Sequence, residues 1–157
     1  MTLTRKHYIL IAAGGSALTL FGAMVIFQRF LDLPPCAMCI WQRWPHAIAI
    51  GLGVLAYLTR GWIFPALGAI SAAVTAGIGL YHFGVEHDYW EGPSSCTSGG
   101  SGISGMSTAD LLSVDSGPKL IMCDQISWEL FGISMPGWNA IVSIILVYFW
   151  IKAIRAS

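Results

Sequence analysis

Charge is what this sequence has least of. Only 10% of its 157 residues are Asp, Glu, Lys or Arg, against roughly 25% in soluble globular domains. A water-facing shell cannot be built from so few charges, which excludes an ordinary soluble domain. No basic run is present to hold a phosphate backbone, so a nucleic-acid partner is excluded as well. Internal repeats are absent, and no stretch is long enough for a separate soluble domain, leaving one domain over residues 1–157. Cysteine is scarce too, at four residues, and every one lies outside the apolar runs described next.

What the chain does have is apolar length, with 55% hydrophobic residues. Four runs, about 8–27, 40–58, 62–83 and 137–154, approach the ~20 residues that a helix needs to cross a bilayer. Backbone polar groups in hydrocarbon must be satisfied internally, so helices are expected. The first run follows Arg5 and Lys6 as a signal peptide would. It outlasts the ~7–15 residue signal core and runs into "QRFLDLPPC" without a small-residue cleavage site, so it reads as a retained helix. The third run carries Gly68, Ala72, Ala73, Ala76, Gly77 and Gly79, small residues that let helices approach closely. The expected fold is an all-α membrane protein, an antiparallel bundle of four transmembrane helices with outer loops at about 28–39 and 84–136.

Net charge is zero, but the charges are not mixed. With four alternating helices, the termini and the "LTRGW" turn share one side, carrying Arg5, Lys6, Arg60, Lys152 and Arg155 and no carboxylate. The other side holds Arg29, Arg43 and Lys119 with all eight carboxylates. Positive charge favours the cytoplasm, so both termini are expected there and all four cysteines outside. Disulfides persist in such an oxidising space. The pairs Cys36–Cys39 and Cys96–Cys123 are expected, although four cysteines permit three pairings.

"LPPCAMCIWQRW" places a C-x-x-C motif before an arginine at the start of an apolar run. Haem attachment needs a histidine after the second cysteine, where Ile40 stands. A structural zinc site wants a second close pair, and Cys96 and Cys123 lie far apart, so no metal is expected. A redox couple fits the placement. Pro34 and Pro35 hold the approach extended, and a helix starting near Cys39 offers its free N–H groups and positive dipole end to the sulfurs, favouring thiolate. Arg43 follows Cys39 by one turn and can meet that sulfur or an anion beside it. A charge in the outer turn of a membrane helix points to a site, and a quinone, anionic once reduced, is a ligand such an arginine would stabilise. His82, at the outer end of the third run, is the candidate titrating group. His46 reads as a helix-contact residue, and His7 and His87 as solvated. Around Cys96 the tract "SSCTSGGSGISG" is flexible by composition, and "MSTADLLSV" could form a short helix.

The segments "PPCAMCIWQR", "YHFGVEHDYWEGPSSC" and "CDQISWELFGISMPGWN", in this order, resemble the DsbB family of inner-membrane thiol:quinone oxidoreductases over most of the chain. That resemblance implies a mechanism. A reduced periplasmic DsbA-like protein attacks the Cys96–Cys123 disulfide at Cys96, Cys123 then attacks Cys36, and Cys39 becomes the thiolate that contacts ubiquinone (or menaquinone) in a charge-transfer complex stabilised by Arg43. Gln42 belongs to the same motif, and the family's histidine near the quinone falls on His82 with a one-residue shift. Two other readings stand beside this one. A non-catalytic protein with two stapling disulfides leaves Arg43 unexplained. A reductase similar to the vitamin K epoxide reductase family usually carries its C-x-x-C on a late helix, whereas here it opens the second.

Overall fold

The computed structural model describes residues 3–94, 96 and 122–156. Most of the glycine and serine tract and the "MSTADLLSV" segment lie outside these residues. Helix α1 (Arg5–Phe21) runs on without a break into a π-helical segment, Gly22–Phe30. Helices α2 (Ala37–Leu58) and α3 (Ile63–Glu86) are joined by a short turn. Strands β1 (Glu129–Leu130) and β2 (Ile133–Ser134) form a hairpin that leads into α4 (Met135–Arg155).

Three helical stretches, Arg5–Phe30, Ile63–Glu86 and Met135–Arg155, are long and apolar enough to cross a membrane among the described residues. Helix α2 is as long but falls short in hydropathy, because its first turns carry Gln42, Arg43, Pro45 and His46. The expected span at 40–58 is therefore a helix with a polar first half.

Helix boundaries depart from the hydropathy runs where polar or capping residues decide them. Helix α2 begins at Ala37 rather than 40, because Cys36 is the N-cap and its sulfur accepts the Cys39 N–H at 3.1 Å. Helix α3 reaches Glu86 and ends in a Schellman turn. The Tyr89 N–H bonds the Gly84 carbonyl, the Asp88 N–H bonds that of Val85, and Asp88 is left-handed at φ 56°. Helix α4 starts at Met135, with Pro136 in a first turn where its missing N–H costs nothing. The hairpin is a strand element that an all-helical reading did not anticipate. Glu129 pairs with Ser134 and Leu130 with Ile133, across a turn in which Phe131 and Gly132 both have positive φ, the backbone that two-residue hairpins require.

Each helix packs on two others: α1 and α3 each contact both α2 and α4. At one end, Arg5 donates to the carbonyls of Ala56 (3.0 Å), Thr59 (3.2 Å) and Gly61 (2.8 Å), closing the last turn of α2. Those carbonyls have no partner within the helix, so the guanidinium takes the place of water. A core of Ile9, Ala12, Ala56, Ala72, Leu146, Trp150 and Ala153 fills this end. Gly68 makes room for it, since a Cβ there would fall within 2.7 Å of the Trp150 ring. Gly79 likewise lies against α4, 2.8 Å from the Pro136 carbonyl by the same measure. Of the small residues expected at helix contacts, Ala73 and Gly77 instead face outward, and Gly77 has open space. Large apolar side chains such as Leu18, Phe21, Leu58, Ile70 and Ile144 are exposed around the outside, the arrangement a lipid environment stabilises.

Candidate functional site

The four cysteines meet at the other end. Pro34 and Pro35 lead into the N-cap, and Cys36 and Cys39 are thiols with their sulfurs 2.7 Å apart. Cys36 is the donor of this pair, and its hydrogen bond to Cys39, together with burial, pushes the Cys36 thiol up. Cys39 is therefore the sulfur placed to carry negative charge, with its own backbone N–H engaged by Cys36. Cys96 and Cys123 form a disulfide, tied further by the Cys123 N–H to the Cys96 carbonyl at 2.6 Å. Both are buried beside Cys36 and Met38. The Cys36 sulfur, the Cys123 sulfur and a His82 ring nitrogen all lie within 4.8 Å of one another.

Loop conformation explains how Cys96 gets there. After the Schellman turn the chain folds back along α3: Trp90 stacks on Tyr81, its indole N–H donates to the Tyr81 carbonyl at 2.8 Å, and the Tyr81 hydroxyl donates to the Glu91 carbonyl at 2.9 Å. Gly84 leaves space for the Trp90 ring. His87, expected in solvent, is half-buried, donates from Nδ1 to the Phe83 carbonyl at 2.8 Å and packs on the Phe83 ring.

Two spaces flank the C-x-x-C helix turn. A cavity of about 240 Å³ lies between the π-helical end of α1, α2 and the start of α4, lined by Ala23, Phe27, Cys39, Gln42, Arg43, His46, Trp128, Trp138 and Asn139 among others. A narrow cleft of about 30 Å³ on the disulfide side is lined by Cys36, Cys39, Arg43, His82, Glu86 and Met122. Cys39 and Arg43 border both. The large cavity thus brings together Cys39, Gln42 and Arg43 from the expected site, while His82 borders only the cleft. Arg43 donates from Nη1 to Gln28 Oε1 at 2.9 Å and from Nη2 to the Ala23 carbonyl at 3.5 Å. The guanidinium is thereby anchored on the π-helical segment, the widened helix geometry that recurs at functional sites.

His82 sits between the thiols and a carboxylate. Its Nε2 is 3.6 Å from the Cys36 sulfur and 3.8 Å from Glu86 Oε1, and its Nδ1 meets Gln42 Nε2 at 2.9 Å. Gln42 continues inward: its Oε1 accepts from Asn139 Nδ2 at 2.7 Å, and Asn139 Oδ1 meets His46 Nε2 at 2.9 Å. Thr75 closes the network, donating to the Gln42 carbonyl and accepting from Asn139. Asn139 and the cavity-facing place of His46 were missed in the sequence. The available signal was a single amide in the apolar run after "SMPGW", which a membrane helix carries at a cost unless it is bonded.

A site with two cysteine pairs, one disulfide-bonded and one reduced beside a cavity, defines a thiol–disulfide oxidoreductase held among apolar helices. The family model described as "Disulfide bond formation protein DsbB" matches residues 5–153, nearly the whole chain. This protein belongs to the DsbB family, enzymes of disulfide-bond formation. Among curated relatives, Disulfide bond formation protein B of Shewanella amazonensis is 29% identical over 147 residues, covering 88% of this chain and 84% of that protein. That of Burkholderia ambifaria is 28% identical over 166 residues, covering 94% and 88%. The protein of the same name from Shewanella sp. strain ANA-3 is 31% identical over 140 residues, covering 81% and 74%. No solved structure matches the chain.

Proposed function

We propose that this protein re-oxidises a periplasmic DsbA-like thiol oxidase and passes the electron pair through its two cysteine pairs to a membrane quinone, ubiquinone or menaquinone. The observation that carries the reading is the place of Cys39, between the cleft it shares with Cys36 and the cavity it shares with Arg43. The Cys123 sulfur lies on the far side, within 4.8 Å of that of Cys36. This order, from loop disulfide to C-x-x-C to cavity, is the order of the proposed transfer.

Each exchange is an attack of thiolate on disulfide. A thiolate of the reduced partner attacks Cys96, forming a mixed disulfide and releasing Cys123. Cys123 attacks Cys36 in an oxidised Cys36–Cys39 pair, forming a Cys36–Cys123 disulfide and expelling Cys39 as thiolate. The partner's second thiol then displaces Cys96 and leaves oxidised. Cys96 attacks Cys123, restoring the loop disulfide and returning Cys36 as a thiol. Two electrons now rest on Cys36 and Cys39, the state of the thiols in this structure. Bound in the cavity, a quinone would accept two electrons and two protons as Cys36 and Cys39 close to a disulfide.

The lining fits such a ligand: an apolar and aromatic wall for a ring and tail, with Arg43 and a few amide and imidazole groups for its oxygens. Arg43 offers positive charge where negative charge accumulates. His82 and Glu86, on the disulfide side, face the exchange between Cys123 and Cys36 rather than the cavity.

In this reading the chain is one integral domain of the bacterial inner membrane with four spans in antiparallel order, α2 included. Arg5, Lys6, Arg60, Lys152 and Arg155 favour cytoplasmic termini and periplasmic cysteines. The test is to trap the partner. A Cys123→Ala variant mixed with a reduced DsbA-like protein should accumulate a disulfide-linked adduct through Cys96. Adducts formed through Cys36 instead, or none at all, would contradict the proposed route.

A further inference from the structure

The polar network beneath the thiols has a direction, and that direction assigns a role to His82. Two backbone carbonyls, which can only accept, fix it. The Thr75 hydroxyl donates to the Gln42 carbonyl and so accepts from Asn139 Nδ2, which turns the same amide nitrogen toward Gln42 Oε1 at 2.7 Å. The Met38 carbonyl meets the Gln42 nitrogen at 3.3 Å, and that nitrogen also donates to His82 Nδ1 at 2.9 Å. The proton of neutral His82 must therefore sit on Nε2. Distance chooses its acceptor. Glu86 Oε1 lies 3.8 Å away, beyond the ~3.2 Å reach of an N–H···O bond, whereas the larger Cys36 sulfur lies at 3.6 Å. Cys36 directs its own S–H at Cys39, which leaves its lone pairs to the Cys39 N–H and to His82. The Cys123 carbonyl also faces the ring.

The order of exchanges puts charge where this N–H points. When Cys96 attacks Cys123 to close the loop disulfide, the Cys36–Cys123 bond breaks and its electron pair stays on Cys36. That sulfur is buried, where an uncompensated negative charge is costly. A donor already aimed at it binds more strongly as the charge grows. We propose that His82, held in its Nε2–H tautomer by Gln42, is a catalytic residue of this step, donating a hydrogen bond to Cys36 as that sulfur is expelled from the Cys36–Cys123 disulfide. This rests on the relay proposed above and deepens it by separating two anion sites. Arg43 serves Cys39 on the cavity side, and His82 serves Cys36 on the loop side. His82 keeps its proton throughout; the one that Cys96 gives up on attacking ends on Cys36. The same tautomer argues against a metal held by Cys36, His82 and Cys123, since the nitrogen turned to Cys36 has no lone pair to give.

Single-turnover kinetics test it. The oxidised full chain in lipid nanodiscs is mixed rapidly with an equimolar amount of a reduced DsbA-like protein, quenched in acid, and its disulfides are mapped by mass spectrometry. In His82→Leu, decay of the Cys36–Cys123 species should slow roughly tenfold, the equivalent of about 1.4 kcal/mol, while attack of the partner on Cys96 changes by about twofold or less. His82→Gln, whose amide can still donate, should recover most of the lost rate. Unchanged decay, equal slowing of both steps, or a His82→Gln protein as slow as His82→Leu overturns the proposal. If no Cys36–Cys123 species forms before His82 is changed, the relay falls and takes the proposal with it.

A second measurement needs no variant. In protein labelled with 15N-histidine, His82 should show a protonated Nε2 and an unprotonated Nδ1. The Nε2 resonance should move when Cys36 and Cys39 are oxidised to a disulfide, because the sulfur it bonds then changes character. A bare Nε2, or one indifferent to the state of Cys36, overturns the proposal.

Discussion

The two ends of the molecule are held together by different physics. At the end near Arg5, Ile9, Ala12, Leu146 and Trp150 close-pack around small residues, and Gly53 admits the Ala13 side chain where any larger residue would collide. At the cysteine end, Gln42, His46, Thr75, His82 and Asn139 are buried or half-buried and hydrogen-bond one another across α2, α3 and α4. Packing tolerates no change of volume, whereas a bonded network tolerates no loss of a partner. The first end can be rigid and inert; the second must present two thiols, a disulfide and a cavity in one place, and α2 gives up apolar character to do it.

Substitutions can break this contrast from either side. Cys39→Ala should produce the largest effect, complete loss of quinone-dependent oxidation of a reduced DsbA-like protein, with the fold intact by circular dichroism. Full turnover in that variant would remove Cys39 from the route. Trp150→Ala should cost about 3–5 kcal/mol of stability, the range for emptying a large aromatic site, and should be read as a lower unfolding temperature in detergent. If it unfolded no earlier than the parent while losing turnover, the division between packed and catalytic ends would fail. For Arg43→Leu, the quinone KM should rise roughly tenfold, as expected when one charged partner worth about 1.5 kcal/mol is lost. Unchanged kinetics would return Arg43 to the role of an interfacial anchor. The smallest effect is expected for Thr75→Val, about 0.6 kcal/mol, the average of hydrogen bonds between membrane helices. A larger loss of stability than that of Trp150→Ala would mean the network, and not the core, holds the helices together.

Much of this architecture was legible in the sequence, and the part that was not has a common cause. Apolar runs located α1, α3 and α4 within a few residues because burial in lipid demands length and little else. The C-x-x-C with Arg43 announced chemistry because a charge and two thiols are out of place in an apolar helix. The run at 40–58 located α2 to within three residues too, although its polar first turns keep it less apolar than the other three. The hairpin at Glu129–Ser134 and the π-helical segment escaped because each depends on local backbone geometry rather than on a pattern of apolar residues. His46 read as a contact residue, and it does contact another helix through Asn139. The orientation of its ring follows only from pairings between residues on different helices, Gln42 to Asn139 to His46, which no periodicity encodes.

Electron stoichiometry distinguishes a thiol-to-quinone relay from any other route. Purified protein is mixed with a reduced DsbA-like partner and ubiquinone without oxygen, and loss of partner thiols and of quinone absorbance are followed together. One quinone should be reduced for each partner dithiol oxidised, and none should be lost when any one of Cys36, Cys39, Cys96 or Cys123 is replaced by alanine. Partner oxidation that proceeds without quinone loss, or quinone reduction that survives removal of Cys39, would contradict the relay.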